Sequence, residues 1–257
     1  MPDVAYRSVW ITGASTGIGR ALALRLADDG SVVCASARNT AALASLADEA
    51  AGLRGRIVPI PADVTDAASV RAAWDSAVAA AGVPDLCVVN AGAFVPVDGR
   101  AFDAEAVARQ FDVNVFGVAR TLEAAIPAMV ARGSGRIAVV ASVAGYRGLP
   151  TASAYGATKA ALINMCEALR IELAPCGIVV QVVNPGFVET PMTSGNDFPM
   201  PFLMPVEKAA EAFRRGLNSD RFEITFPKRF TWIMKVLRLL PNALYLPLAA
   251  AGTKRRR

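Results

Sequence analysis

A glycine-rich turn at residues 12–19 is the feature that most constrains how this chain can fold. The apolar run before it has the character of a short buried strand, and the residues after it have helical spacing. Gly13 permits a tight turn, Gly17 lets the backbone approach a phosphate group, and Gly19 lets the helix pack closely on a sheet. The sequence therefore predicts a strand–turn–helix unit that holds the pyrophosphate of a dinucleotide.

Strands and helices alternate through the rest of the chain, and no repeat or linker interrupts them. This alternation predicts one α/β domain over residues 1–257, a doubly wound parallel sheet of the Rossmann type with helices on both faces. Residues 190–217 are expected to comprise a mobile apolar flap over a substrate, at 190–205, and a short helix at about 206–217. Residues 228–257 form an apolar and basic C-terminal extension that is predicted to be helical.

Composition excludes several classes of function. The chain has no histidine, which rules out Ser-His-Asp hydrolysis and histidine-ligated zinc. Its four cysteines lack metal-like spacing, so we expect buried reduced thiols and no metal site. From residue 220 onward there are nine Lys and Arg against two acids, while the whole chain has a net charge of +5. The main body is thus slightly acidic, and no nucleic-acid partner is expected.

The N-terminus lacks the charged start, apolar stretch and small-residue cleavage site of a signal peptide, and we expect a cytoplasmic protein.

The end of the second predicted strand indicates which dinucleotide is bound. No acid is present there to accept from a ribose 2′-hydroxyl, and Arg38 follows instead. A guanidinium suits a 2′-phosphate, so NADP(H) is favoured over NAD(H); the alternative is that Arg38 is a solvated loop charge. After the third strand, Asp63 and Val64 can contact an adenine ring, although Asp63 can equally begin a turn. The small residues at 90–92 follow the fourth strand and allow a cofactor to come close.

Tyr155 and Lys159 lie four residues apart where a long helix is expected to begin, so they share one face. A cation about 4 Å from a phenol is worth roughly 4 kcal/mol at an effective dielectric near 20, which would lower the phenol's pKa by about 3 units. A pair with this spacing also arises by chance. Ser142 ends the fifth strand, and Asn114 is an amide in an apolar helical stretch. Asn114 needs a partner, either in a plain buried hydrogen bond or in a polar relay.

Together these motifs resemble the short-chain dehydrogenase/reductase family, in its single-domain branch, over roughly residues 7–190. The resemblance implies that Tyr155 is the general acid or base, that Lys159 lowers its pKa and holds the nicotinamide ribose, and that Ser142 binds the substrate oxygen. It implies that Asn114 anchors a water relay to the lysine. The catalytic residues so implied are Asn114, Ser142, Tyr155 and Lys159. The expected cofactor-binding residues are Gly13, Ser15, Thr16, Gly17, Ile18, Gly19, Arg38, Asp63, Val64, Asn90, Ala91, Gly92, Tyr155, Lys159, Pro185, Gly186, Val188 and Thr190.

The C-terminus departs from part of this family. It lacks the glycine-rich ending of acyl-carrier-protein reductases, which counts against that activity and against a tetramer built from that ending. Residues 230–240 are apolar around most of a helical wheel and would not be soluble as an isolated helix. Charged residues and prolines interrupt any run long enough to span a membrane. Two interpretations stay open: burial in the protein or a partner subunit, including a substrate cover, or docking on a membrane surface.

The sequence thus predicts an NADP(H)-dependent oxidoreductase that transfers hydride between a nicotinamide and the carbonyl or secondary alcohol of a lipophilic substrate. A homo-oligomer, dimer or tetramer, is expected from the resemblance. Two alternatives remain: a lipid-directed reductase at a membrane surface, and a non-catalytic NADP(H)-binding sensor or scaffold.

Overall fold

The computed structural model describes residues 6–196 and 198–254. Its seven strands are β1 (Ser8–Thr12), β2 (Val32–Ala37), β3 (Arg56–Pro61), β4 (Leu86–Val89), β5 (Gly135–Val140), β6 (Ile178–Pro185) and β7 (Glu223–Phe226). They form one parallel sheet in the order β3-β2-β1-β4-β5-β6-β7. The strand order reverses between β1 and β4, and the carboxyl ends of strands at such a point leave a crevice where ligands bind.

Helices cover both faces of the sheet. They are α1 (Gly17–Asp28), α2 (Thr40–Glu49), α3 (Ala67–Ala81), α4 (Ala104–Phe111), α5 (Gly117–Arg132), α6 (Ser153–Leu173), α7 (Pro191–Ser194), α8 (Val206–Leu217), α9 (Lys228–Leu239) and α10 (Asn242–Lys254). This architecture confirms the predicted doubly wound α/β fold with a C-terminal helical extension. Residue 197 of the flap and residues 255–257 of the extension lie outside the described residues.

Two hydrophobic cores flank the sheet, because successive side chains of a strand point to opposite faces. Val9 and Ile11 of β1 pack into one core with helices α1, α2 and α8. Trp10 points the other way, where its ring meets Trp74 edge-on at 5.4 Å and its indole N–H donates to Ser36 at 2.9 Å. This second core is covered by α3, α5, α6 and part of α9. The nearly continuous apolar strands are thus buried on both sides.

One helical run of the sequence is broken locally. The pattern over residues 103–131 predicts a single helix, and the structure has α4 and α5 joined by a π-helical turn at Asp112–Phe116. Turns of this kind occur frequently at functional sites. The turn carries Asn114, which is fully buried. Among the described residues, the run Ala104–Arg132 alone has the length and composition of a membrane span, but Leu122 and Met129 pack into the core as in a soluble domain.

The C-terminal extension is buried on its inner side only. Phe230 and Met234 of α9 pack into the second core, and Tyr245 of α10 is buried. The phenol of Tyr245 donates to the carbonyl of Gly148 at 2.7 Å, and the guanidinium of Arg147 lies 4.1 Å from its ring centre. The outer sides of both helices remain exposed.

The glycine turn is fastened to the end of β4. The hydroxyl of Thr12 accepts from the backbone N–H of Asn90 at 3.1 Å, and the amide of Asn90 donates to the carbonyl of Gly13 at 2.9 Å. Gly13 has φ +68°, and a Cβ there would lie 2.7 Å from Cα of Ala91. A Cβ at Gly19 would lie 2.4 Å from the carbonyl oxygen of Gly13. Both glycines are therefore required for the turn to pack against the strand beside it.

The substitution Gly19→Ala tests this packing. We expect it to destabilise the fold by about 1–3 kcal/mol, because the added methyl group must displace backbone rather than a flexible side chain. Thermal unfolding measures the effect, with Gly99→Ala as a matched control, since a Cβ at Gly99 meets no atom within 4 Å. Equal melting temperatures for the two variants would contradict the interpretation.

Candidate functional site

A cavity of about 910 Å³ runs along the carboxyl ends of the strands, from the glycine turn to the C-terminal helix α10. The sequence-predicted site residues all line it except Gly19 and Asn114. Gly19, predicted to bind a cofactor, instead lies behind the turn against Gly13, and Asn114 lies behind the cavity wall. Residues that are distant in sequence thus meet in one space.

The glycine-turn end of the cavity suits an anion. The side chains of Asn39, Asp66 and Asp103 each accept a backbone N–H at the start of α2, α3 and α4. Thr16, at the same position before α1, makes no such hydrogen bond, and the first turn of α1 contains no acid. The N–H groups of this turn are left for a ligand, and Thr16 and Gly17 line the cavity. The residues present therefore fit a pyrophosphate.

Arg38 and Asp63 line the next part of the cavity. Among the described residues, Arg38 is exposed and has no hydrogen bond or ion pair. One carboxylate oxygen of Asp63 accepts from the N–H and the hydroxyl of Thr65, at 2.9 and 2.8 Å. These hydrogen bonds, with the charge of Arg38 nearby, hold the pKa of the Asp63 carboxyl below its usual value. Asp63 thus begins a turn and also lines the cavity, where its contact with an adenine ring stays a prediction.

Ser142, Tyr155 and Lys159 meet at the middle of the cavity. Ser142 ends the segment after β5, where its hydroxyl accepts from the N–H of Ala144 at 3.1 Å. Tyr155 lies in the first turn of α6, and Lys159 follows one turn later. Lys159 is 3% exposed; its ammonium donates to the carbonyl of Val140 at 2.9 Å and lies 5.5 Å from the ring centre of Tyr155.

The phenol's acidity differs from the sequence-based expectation. Burial raises the pKa of Tyr155 to about 12, and a hydrogen bond with Ser142 offsets only part of that effect. Burial also lowers the pKa of Lys159 to about 8. The expected lowering by Lys159 assumes an ammonium about 4 Å from the phenol in a polarisable medium. In the structure the cation is directed toward Val140, and the loss of hydration dominates for both groups.

Asn114 completes the wall behind the catalytic residues. Its amide oxygen accepts from the N–H of Ala93 at 2.7 Å, and its amide nitrogen donates to the carbonyl of Ala93 and to the hydroxyl of Thr158, at 2.9 and 3.1 Å. A Cβ on Gly92 would lie 3.3 Å from this amide oxygen and 3.5 Å from the ammonium of Lys159. Gly92 therefore keeps open the space between the amide and the ammonium.

Aromatic rings surround the far part of the cavity. Phe94 meets the ring of Tyr155 edge-on at 5.2 Å, and Phe187 stacks on Phe230 of α9 at 5.5 Å. A Cβ on Gly186 would lie 2.6 Å from the ring of Phe230, so this glycine lets α9 approach. The C-terminal residues of this part are Phe230, Leu237, Tyr245, Leu248 and Ala249. The apolar helical pattern was the available signal for them, but it did not indicate which residues face the site.

A polar cluster around Glu223 was not foreseen from the sequence. Its carboxylate accepts from the phenol of Tyr146, the amide of Asn184 and the ammonium of Lys235. Burial acts against the charge, but these hydrogen bonds outweigh it and hold the pKa of Glu223 below its usual value. Because Tyr146 follows Ser142 and Lys235 lies on α9, the cluster joins the catalytic segment to the extension. Contacts between residues so distant in sequence leave no local pattern.

Comparison with known proteins shows which family this chain resembles. The family model for short chain dehydrogenases matches residues 7–198. A Myxococcus xanthus protein named as an uncharacterized oxidoreductase is 39% identical over 245 residues, covering 95% of this chain and 97% of that protein.

Two solved structures contain cofactors. A 3-ketoacyl-(acyl-carrier-protein) reductase from Brucella melitensis, complexed with NADH, has 29% identity and a TM-score of 0.78, covering 86% of this chain and 98% of that one. An alcohol dehydrogenase from Thermococcus sibiricus, complexed with 5-hydroxy-NADP, has 27% identity and a TM-score of 0.78, covering 86% and 95%. The chain therefore belongs to the short-chain dehydrogenase/reductase family, whose members are oxidoreductases that act on CH–OH groups with NAD or NADP.

Proposed function

We propose that this protein is an NADP(H)-dependent oxidoreductase that reduces the carbonyl group of a lipophilic substrate, or oxidises the corresponding secondary alcohol. The observation that carries the proposal is the single continuous cavity. It joins an uncapped helix start and Arg38, which pairs with no described acid, to Ser142, Tyr155 and Lys159, and then to an apolar end. Each part has the chemistry that one part of the reaction requires.

The protein's own share of the reaction is proton transfer and orientation. When bound, a nicotinamide supplies or accepts the hydride at the carbonyl carbon. With its pKa at about 12, the phenol of Tyr155 is protonated at neutral pH and can donate a proton to the developing alkoxide. Ser142 lines the same part of the cavity, and its hydroxyl can donate to the same oxygen. The protonated phenol is therefore the form that can serve reduction, while oxidation requires the phenolate.

Lys159 and Asn114 support this centre. The ammonium of Lys159 borders the space beside Gly92, where it can hold hydroxyl groups of a ribose and pass a proton through Tyr155. Asn114 can act on a water molecule only through the opening that Gly92 leaves, because its amide is otherwise engaged with Ala93 and Thr158. The presence of Ser142, Tyr155 and Lys159 together counts against a non-catalytic sensor.

The preference for NADP(H) rests on Arg38. Its guanidinium lies on the cavity just beyond β2, and no described acidic side chain pairs with it. A free guanidinium there can form charge-assisted hydrogen bonds with a 2′-phosphate. The buried, uncharged end of β2 offers no carboxylate for a ribose 2′-hydroxyl.

The lipophilic substrate is supported by the far end of the cavity, where side chains of the flap and of α9 and α10 are mostly apolar and aromatic. Pockets that bind apolar ligands combine such walls with few polar groups.

We further propose a homo-oligomer, dimer or tetramer, in the cytoplasm. Phe116 and Ile171, on the helices that carry Asn114 and Tyr155, are exposed apolar side chains that a second copy could cover. Free thiols at Cys34, Cys87 and Cys166 suit a reducing compartment.

Tyr155→Phe tests the proton donor. We expect carbonyl reduction to fall about 10²–10⁴-fold, because the phenyl ring fills the same space without a proton to give. NADPH binding, followed by its fluorescence, should persist. Tyr6→Phe is the matched control, since the hydroxyl of Tyr6 donates to Leu217 outside the cavity. Turnover in Tyr155→Phe equal to that of the control would refute the assignment.

Arg38→Ser tests the cofactor preference. Losing charge-assisted hydrogen bonds to a 2′-phosphate should weaken NADPH about 10–100-fold and leave NADH nearly unchanged. Arg71→Ser removes an exposed arginine from α3, outside the cavity, and should change neither. A wild-type protein that prefers NADH would overturn the proposal.

The pH profile tests Lys159. Because its pKa is lowered to about 8, the ammonium is charged below that pH and loses its proton as the pH rises through it. The pH dependence of kcat/KM reports the pKa values of the free enzyme. We expect kcat/KM for reduction to be level at lower pH and to fall above about pH 8. In Lys159→Met the overall rate should be lower and this inflection absent. A wild-type profile level across this range would exclude a catalytic role for the charge.

A further inference from the structure

We propose that the outer face of α9 and α10 docks on an anionic lipid bilayer and places the opening of the cavity at the lipid surface. This inference rests on the proposed function and identifies the source of the substrate: a lipophilic carbonyl compound or alcohol dissolved in the membrane. These two helices make up the extension, and the proposal depends on their outward-facing side chains.

Helix α9 is apolar on both sides. Phe230 and Met234 face the core, and one would expect polar residues on the opposite, water-facing side. That side instead presents Trp232, Val236 and Leu239, which are 67%, 58% and 83% exposed. Their spacing of three and four residues places them together on one face. Such a face is costly in water and marks a binding surface.

Helix α10 extends this apolar surface. It has no charged residue from Asn242 to Ala251, and only Tyr245 among these is buried. Leu244, Leu246 and Leu248 are each more than half exposed. The hydrogen bond from Tyr245 to Gly148 fixes which side of the helix faces the body. With α10 held against the protein body in this way, the three leucines are on its outward side.

Charge favours an anionic lipid surface over a second copy of this chain. Residues 224–257 contain eight Lys and Arg and no acid. Lys228, Arg229 and Arg238 are exposed beside the apolar face of α9. In a two-fold dimer the same basic face would meet itself, and the like charges would repel. Against anionic lipids each basic residue instead contributes about a fivefold gain in binding.

The dimensions indicate that the helices lie on the membrane rather than cross it. The described lengths of α9 and α10 are 12 and 13 residues, against the roughly 20 that a bilayer core requires. Apolar residues flanked by basic ones, with an aromatic ring among them, are typical of helices in the plane of the interface.

The cavity reaches the surface beside this face. Leu248 of α10 and Met192 of the flap both line the cavity and remain exposed. Leu237 and Tyr245 continue the lining inward from the same two helices. A lipophilic molecule can therefore move from the acyl chains into the cavity along apolar side chains, without passing through water.

Vesicle co-sedimentation of the full chain tests the proposal. Phosphatidylcholine vesicles with added phosphatidylglycerol should sediment the protein, and pure phosphatidylcholine vesicles should sediment much less. Trp232→Ser should weaken binding about tenfold or more, since an aromatic anchor is lost. Phe102→Ser, which changes a ring of similar exposure (62%) at another place, should leave binding unchanged.

A second pair of variants tests the charge. Arg229→Glu should weaken binding to the phosphatidylglycerol vesicles more than about fivefold, whereas Arg71→Glu on α3 should not. Neither Trp232 nor Arg229 lines the cavity, so NADPH fluorescence and turnover of a water-soluble ketone should match wild type in both variants.

Failure of docking and failure of the proposed function give different results. Absence of lipid-dependent sedimentation, or equal binding by Trp232→Ser and wild type, overturns the docking proposal. The proposal is also overturned if the protein does not bind vesicles and light scattering shows that Trp232→Ser changes its oligomeric state. That result would identify the apolar face as a contact between copies. If the protein binds vesicles but reduces no carbonyl compound, the docking proposal stands and the proposed enzymatic function is refuted.

Discussion

The close approach of the glycine turn to the end of β4 is the constraint on which the site depends. Asn90 holds the turn by hydrogen bonds to the backbone of Thr12 and Gly13, and the missing side chains of Gly13 and Gly19 make room for it. The same contact positions the first turn of α1 and begins the segment that leads to Gly92. This one packing contact thus fixes the position of the anion-binding end of the cavity relative to its catalytic end.

Burial governs the chemistry at the centre of the cavity. Tyr155 and Lys159 both shift toward their neutral forms, which a simple count of charges would not predict. A protonated phenol and a lysine that titrates not far above neutrality are suited to exchanging a proton near physiological pH. A charged cofactor in the cavity would add its own field to both groups, so these pKa values describe the protein by itself.

Much of the fold followed from the sequence, because it depends on local pattern. The strand–turn–helix start, the helix that begins near Tyr155 and the helix of residues 206–217 lie where spacing and glycines predicted them. The π-helical turn at Asn114 did not follow, since the apolar spacing around it is that of an ordinary helix. The pKa of Tyr155 did not follow either, because burial is a property of the assembled chain. The residues of α9 and α10 that face the cavity depend on how the extension docks.

Glu223 gives the C-terminal extension a role in the integrity of the whole molecule. Its half-buried carboxylate is shared by Tyr146, Asn184 and Lys235, three residues on separate segments. If the extension were removed by evolution or by truncation, the carboxylate would lose its only described cation and remain as a partly dehydrated anion beside the catalytic segment. The C-terminal extension therefore cannot be exchanged without affecting the charge balance at Glu223. A relative that replaces it must also replace residue 223 or supply another positive charge.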